Sequence, residues 1–181
     1  MKIPLASIVT SVLHAGPGGE AGRREGLKWT VGGMATLLTG QKAAAVTMFA
    51  RGVAQLERCW RERHPEHTGG LQARVEAARA FYDATHRHPI NRTLHVVGIP
   101  LILGGAVGLL AAPTLSPPWL ASAGAFTTGW ALNIAGHVAF EKNTPAFADD
   151  PLSFVVGPLW DAGELLARGR RRFGGAGPKM A

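Results

Sequence analysis

Hydrophobic and polar positions alternate with different periods along this chain. From Gln41 to Arg63, Val46, Phe49, Val53, Leu56 and Trp60 recur at spacings of three and four, while Arg51, Glu57, Arg58, Arg61 and Glu62 take much of the rest. That period predicts an amphipathic helix packed on a core, with a helix lying in a membrane interface as the other reading. Leu27 to Leu38 is apolar but rich in Gly and Thr, and predicts a second helix before it. Met1 to Gly19 has a single Lys, a proline inside its apolar stretch and no A-x-A site, which fits an amphipathic first helix better than a signal peptide. His64 to Gly70 reads as a turn. Leu71, Val75, Ala78, Tyr82 and Thr85 then share a face of a helix from Leu71 to Thr85, and Pro89 stops or restarts it.

The pattern changes at Leu94. From there to Phe140 no Asp, Glu, Lys or Arg occurs. The run predicts one helix from Arg92 to about Ala112, kinked at Pro100, and another from Trp119 to Phe140, each long enough to cross a hydrocarbon core. Gly98, Gly104, Gly105 and Gly108 suit close helix packing, and Trp119 is placed like an interfacial anchor. The uncharged turn Pro113 to Pro118 joins the two into an antiparallel hairpin. The core of a soluble bundle is the competing reading. Leu152 to Ala167, broken by Gly157-Pro158 and carrying Asp161 and Glu164, predicts a re-entrant or interfacial helix. Arg168 to Ala181 is basic, Gly-rich and expected to be disordered. The fold class that follows is all-α: a membrane-embedded helical bundle built on an antiparallel transmembrane hairpin, with amphipathic N-terminal helices. Residues 1–70 form an N-terminal extension, 71–167 the membrane domain and 168–181 a basic tail.

Charge sharpens this picture. Only 17% of residues are charged, and these lie toward the two ends of the chain, for a net +7. Aromatic residues do not interleave the basic ones, so the partner expected is a lipid bilayer and not nucleic acid. Arg87, Arg92, Lys142 and the Arg168 to Arg172 cluster all fall at the end of the hairpin opposite its turn, which places that end in the cytoplasm by the positive-inside rule. Cys59 is the only cysteine, which excludes an internal disulfide and a thiolate metal site.

An antiparallel hairpin brings the start of its first helix level with the end of its second. His95 and His137 therefore reach one depth, His86 and His88 arrive there from the preceding helix, and Glu141 follows His137 by four residues. Imidazole and carboxylate together suit a divalent iron, zinc or manganese ion. Each residue also has a plainer role. His88 can face solvent, Asn91 can cap a helix beginning at Arg92, Glu141 can pair with Lys142 or Arg92, Glu164 with Arg168, and Tyr82 can be core. His86, His95 and His137 have the weakest plain explanation because they converge. His64-x-x-His67, in a Pro- and Gly-containing turn, is a weak metal pair.

Two motifs carry a resemblance. Tyr82-x-x-x-His86-x-x-Pro89-x-Asn91-x-x-x-His95-x-x-Gly98-x-Pro100, followed by Gly136-His137-x-x-x-Glu141-Lys142-x-x-Pro145-Ala146, resembles the Mpo1-like family, long called a domain of unknown function, over about Ala80 to Leu166. The resemblance implies a membrane-embedded, iron(II)-dependent dioxygenase. Such an enzyme shortens 2-hydroxy fatty acids by one carbon with molecular oxygen and without 2-oxoglutarate. It implies His86, His95 and His137 as iron ligands, with zinc the less favoured metal. Glu141 is then a fourth ligand or a partner orienting an imidazole, and Asn91 and Glu164 support the ligands or position substrate. The substrate carboxylate is expected near Arg87, Arg92 or Lys142, with Tyr82 beside it, and the alkyl chain in the Gly-lined groove of the hairpin or in lipid. A non-enzymatic membrane scaffold or lipid-binding hairpin, and a zinc-dependent membrane hydrolase with Glu141 as base, are the alternatives. Assembly as a homo-oligomer is open.

Overall fold

The computed structural model describes residues 18–143 and 146–173. The expected helix at the extreme N-terminus, Pro145 of the second motif and the tail from residue 174 lie outside them. The described residues form six helices and no strand: α1 (Gly19–Leu37), α2 (Lys42–Arg63), α3 (Leu71–Thr85), α4 (Pro89–Ala111), α5 (Pro117–Gly136) and α6 (Ser153–Phe173).

Small residues explain why the Gly- and Thr-rich stretch is helical. Gly22, Gly26, Thr30, Gly33 and Leu37 recur every three or four positions and form the buried seam of α1. A Cβ at Gly33 would meet the backbone of Ala45 and Phe49, and one at Gly52 would meet Gly26 and Thr30. The two helices thus pack backbone to backbone as an antiparallel pair. Gly40, with φ +80, turns the chain between them. On α2, Leu56 and Trp60 are buried as the periodicity predicts, but Val46 and Phe49 of the same stripe are 49% and 39% exposed. On α3 the buried stripe is Arg74, Ala78 and Tyr82, and Leu71 faces outward. Arg74 stacks over Trp60 at 3.7 Å and bonds Glu57 at 2.8 Å and Asp150 at 2.6 Å, which ties α2 and α3 to the segment leading into α6.

The helix predicted from Arg92 begins at Pro89. Proline lacks an N–H and fits the first helical position, and the His88 side chain accepts from the Ile90 N–H at 3.2 Å as the cap. Asn91 consequently sits inside the first turn and is not the cap. The pairing of α4 with α5 is antiparallel: a Cβ at Gly98 would meet Gly129 and Asn133, one at Gly105 would meet Ser122 and Phe126, and one at Gly136 would meet Asn91. Trp119 is buried in the core with Ile102, Leu109 and Phe126, so it is not an interfacial anchor. Of the described helices only α4 is long and apolar enough to cross a membrane, a length and composition that core helices of soluble proteins share. Helix α5 carries Ser, Thr and Asn among its apolar residues and does not meet that measure, so the hairpin is present but only α4 of it has the length and composition of a span.

Helix α6 corrects two expectations. It runs unbroken through Gly157-Pro158, and Arg168 to Phe173 continue it. Asp150 caps it, accepting from Leu152 N–H at 3.0 Å and Ser153 N–H at 3.2 Å. Gly157 is required by packing, because a Cβ there would overlap the ring of Tyr82.

Candidate metal centre

Three elements converge on one buried point. His86 is the residue that ends α3, His95 lies two turns into α4, and His137 opens a π-helical turn, His137–Glu141, that follows α5. Their relative exposures are 2%, 4% and 2%. Each ring is oriented by an oxygen on its Nδ1 side. For His86 these are the Tyr82 carbonyl at 3.1 Å and the Thr85 hydroxyl at 3.0 Å; for His95 it is the Asn91 carbonyl at 2.9 Å; for His137 it is the Asn143 amide oxygen at 2.7 Å. An imidazole that donates from Nδ1 to a carbonyl holds its lone pair on Nε2. The Nε2 atoms of His86 and His95 lie 3.3 Å apart, and one ligand atom from each of the three rings lies within 4.8 Å of the others.

This geometry fits a metal ion. With bonds of about 2.0–2.1 Å, ligand nitrogens at tetrahedral or octahedral angles stand roughly 2.8–3.4 Å apart. The His86–His95 spacing falls in that range, and lone pairs facing each other there in a dry site repel unless a cation or proton lies between them. Burial first, and then the neighbouring rings of His95 and His137, push the His86 pKa down to about 3, so its imidazole is neutral and ready to donate a lone pair.

The π-turn decides where the next carboxylate points. With an extra residue in the turn, Glu141 accepts from the His88 N–H at 2.8 Å and the Asn91 amide at 3.1 Å. Partial burial raises its pKa, but these donors outweigh it and hold the carboxyl below its usual range. Glu141 and Asn91 thus stand behind the histidine cluster as a brace joining the end of α5 to the start of α4. Lys142 ends the π-turn in the left-handed region (φ 55) and is exposed. His88, half-buried, caps α4 and stacks on Phe140 at 4.9 Å.

Tyr82 stacks on His86 with centroids 4.0 Å apart and donates its hydroxyl to Asp161 at 3.0 Å. Burial, and then the Asp161 carboxylate, raise its pKa, so the phenol stays protonated. Asp161 is also the ion-pair partner of Arg92, whose Nη2 is shared between Asp161 and Asp83, the latter at 3.1 Å. Arg92 is therefore turned away from the histidines into a surface cleft that it shares with Glu164. Arg87 is exposed and bonds the Ala84 carbonyl at 3.1 Å. None of Arg87, Arg92, Lys142 and Glu164 lines the histidine cavity. His64 and His67 gather around the Trp60 ring, and His64 Nδ1 is engaged by the Trp60 carbonyl at 2.8 Å.

The cavity itself has a volume of about 20 Å³ and is lined by the three histidines, Tyr82, Asn133, Trp130 and the aromatic pair Phe147 and Phe154, among others. That is room for one water-sized guest. Both amide atoms of Asn133 and the indole nitrogen of Trp130 are buried without a hydrogen-bond partner. Sequence reasoning passes over Asn133, although it is four residues before His137 and is the lone amide of α5. It also passes over Asn143, which bonds the Thr85 carbonyl at 3.1 Å and so links His137 to the end of α3.

The fold and site define an all-helical protein with a buried three-histidine cluster suited to a metal ion. Residues 72–168, a little over half of the chain, match the family described as 2-hydroxy-palmitic acid dioxygenase Mpo1-like, and the chain belongs to this Mpo1-like family. No curated protein and no solved structure matches it.

Proposed function

We propose that the chain is an iron(II)-dependent dioxygenase of 2-hydroxy fatty acids, working at the His86, His95 and His137 cluster. The observation that carries this is the convergence of three oriented, buried imidazoles on a point that a cation fits. The donor set suits iron(II) or zinc alike, and iron is proposed because an oxygen-using reaction calls for a redox-active metal. When bound, iron would supply a Lewis-acid seat for a hydroxy acid and the redox capacity to use oxygen. The overall change balances without a second oxidisable substrate: a 2-hydroxy acid and O2 give the acid one carbon shorter, CO2 and water.

The protein's own groups would orient and exclude. Asn91 and Asn143 fix two of the rings, Glu141 braces the helix pair, and Tyr82 closes the site from the α6 side. Asn133 offers an amide donor without a partner at the wall where the substrate's hydroxyl and carboxylate would enter. Residues 71–167 would carry the chemistry and 1–70 would be an added helical unit. In this reading α4 crosses the bilayer with α5 against it, and the histidine end faces the cytoplasm. Exposed Val97, Val107, Leu120 and Ile134 favour a lipid-facing band, and Arg87 and Lys142 lie beyond its end. The engagement of Glu141 by two donors argues against its acting as the base of a zinc hydrolase.

Metal analysis after anaerobic reconstitution tests this. The wild-type protein should bind about one iron per chain, in line with a single three-histidine site. His86→Ala, His95→Ala and His137→Ala should each lose that iron together with oxygen-dependent consumption of 2-hydroxypalmitate. Activity that survives these substitutions contradicts the assignment.

A further inference from the structure

A second cavity, of about 260 Å³, runs between α2 and α4. Val46, Phe49 and Ala50 form one wall, and Leu103, Ala106 and Leu110 the other. No charged side chain lines it. Its one N–H is the unpartnered indole of Trp130. The groove accounts for the exposure of Val46 and Phe49, which belong to the apolar stripe of α2 yet are not covered.

The groove and the histidine cavity are neighbours with a common wall. Trp130, Phe147 and Phe154 line both. These rings stack, Trp130 on Phe154 at 5.3 Å and Phe147 edge-on to Phe154 at 5.5 Å. Along α4, Ile102 to Leu110 lie seven to fifteen residues beyond His95, which is roughly 10–22 Å at 1.5 Å per residue. An extended chain advances about 1.2 Å per bond, so a sixteen-carbon acid reaches ~18 Å. Another groove, between α1 and α5, also shares Trp130, Ile134 and Phe147 with the histidine cavity, but the Arg23–Asp149 ion pair at 3.2 Å stands on its rim, whereas no charge lines the α2–α4 groove.

We propose that the α2–α4 groove holds the alkyl tail of a long-chain 2-hydroxy acid whose head lies in the histidine cavity, with Trp130, Phe147 and Phe154 as the partition the chain displaces. This rests on the dioxygenase reading above. Helix α2 lies outside the segment matched by the family. The N-terminal hairpin thereby becomes the part of this chain that sets acyl-chain length, and the Gly-rich face of α4, filled by α5, does not hold the tail.

Full-length protein carrying Val46→Trp, which fills the groove, is compared with wild type and with Val31→Trp, which fills the other groove. Wild-type kcat/KM on straight-chain 2-hydroxy acids should climb with length, up to about fourfold per methylene buried. Val46→Trp should lower the value for 2-hydroxypalmitate by at least about tenfold and leave 2-hydroxyhexanoate within about threefold. Val31→Trp should leave both unchanged. An unaltered length profile in Val46→Trp, or the loss appearing in Val31→Trp instead, overturns the proposal while the dioxygenase reading stands. Binding is read separately in metal-free protein through quenching of Trp130 by palmitate brominated in mid-chain. Saturable quenching that Trp130→Phe removes and Ala50→Leu weakens supports the groove even when no acid is turned over, the outcome that defeats the dioxygenase reading alone. Absence of quenching overturns the groove. Should Val46→Trp fail to fold, Ala50→Leu narrows the same space and is judged by the same results.

Discussion

Asn143 shows how much of this site depends on residues outside the three-histidine cluster. It accepts from His137 Nδ1 at 2.7 Å and donates to the Thr85 carbonyl at 3.1 Å, so one amide fixes a ring and joins two helix ends. Asn143→Ala should leave helical content intact and weaken metal binding by about 10–100-fold, the usual effect of removing a group that orients a ligand. Competition with a chelator measures it, and unchanged affinity would show that the ring is held by packing alone. The acid response of the metal-free protein follows from His86. Its pKa in the fold is near 3 against an ordinary 6.5, so the unfolded chain takes up a proton that the fold refuses. This contribution to stability is complete above pH 6.5 and is lost as pH falls toward 3. Melting temperature in chelator should fall steadily between these values, with a shallower slope in His86→Gln; equal slopes would contradict the buried neutral imidazole. The histidines were legible in the sequence because polar groups at the ends of apolar helices stand out. Asn133, Asn143 and Asp161 were not, since an amide or carboxylate acquires its meaning from partners distant in the chain.

At the scale of elements, the helical hairpin was readable from the uncharged run, whereas helix α1 was readable only over Leu27 to Leu38 and not from its start at Gly19. Its seam of Gly22, Gly26, Thr30 and Gly33 buries backbone instead of large side chains, and hydrophobic periodicity does not register that kind of packing. The start of α4 was misplaced for a related reason: Asn91 has the chemistry of a cap, but Pro89 at the first helical position passes that role to His88. Arg74, which is 3% exposed and pairs with the fully buried Asp150, is the most buried ionic tie between the N-terminal hairpin and the rest. Arg74→Met should cost about 3–5 kcal/mol, the scale for leaving a buried partner charge uncompensated. Denaturant unfolding checks this, and a loss below ~1 kcal/mol would mean that Asp150 is reached by water. Gly157→Ala should displace the Tyr82 ring from its seat and lower metal affinity with it, which the same chelator titration reads.

Across the whole molecule, two antiparallel hairpins meet at their turns, where Lys42 Nζ donates to the Ala112 carbonyl at 2.5 Å. At the other end lie the histidines, the capping Asp150 and the ion pairs of Arg74 and Arg92. The polar chemistry is gathered at one end of the bundle and the apolar groove runs away from it. On the proposed function, this arrangement would give an amphiphilic acid a place for its head and a direction for its tail. The account as a whole depends on the three-histidine cluster carrying out an oxygen-consuming cleavage. Simultaneous recording of O2 uptake and CO2 release by the iron-loaded protein supplied with 2-hydroxypalmitate and no 2-oxoglutarate tests that directly. One CO2 should appear for each O2 consumed, with both lost in His95→Ala. Loss of substrate without oxygen uptake, or uptake undiminished in His95→Ala, would contradict it.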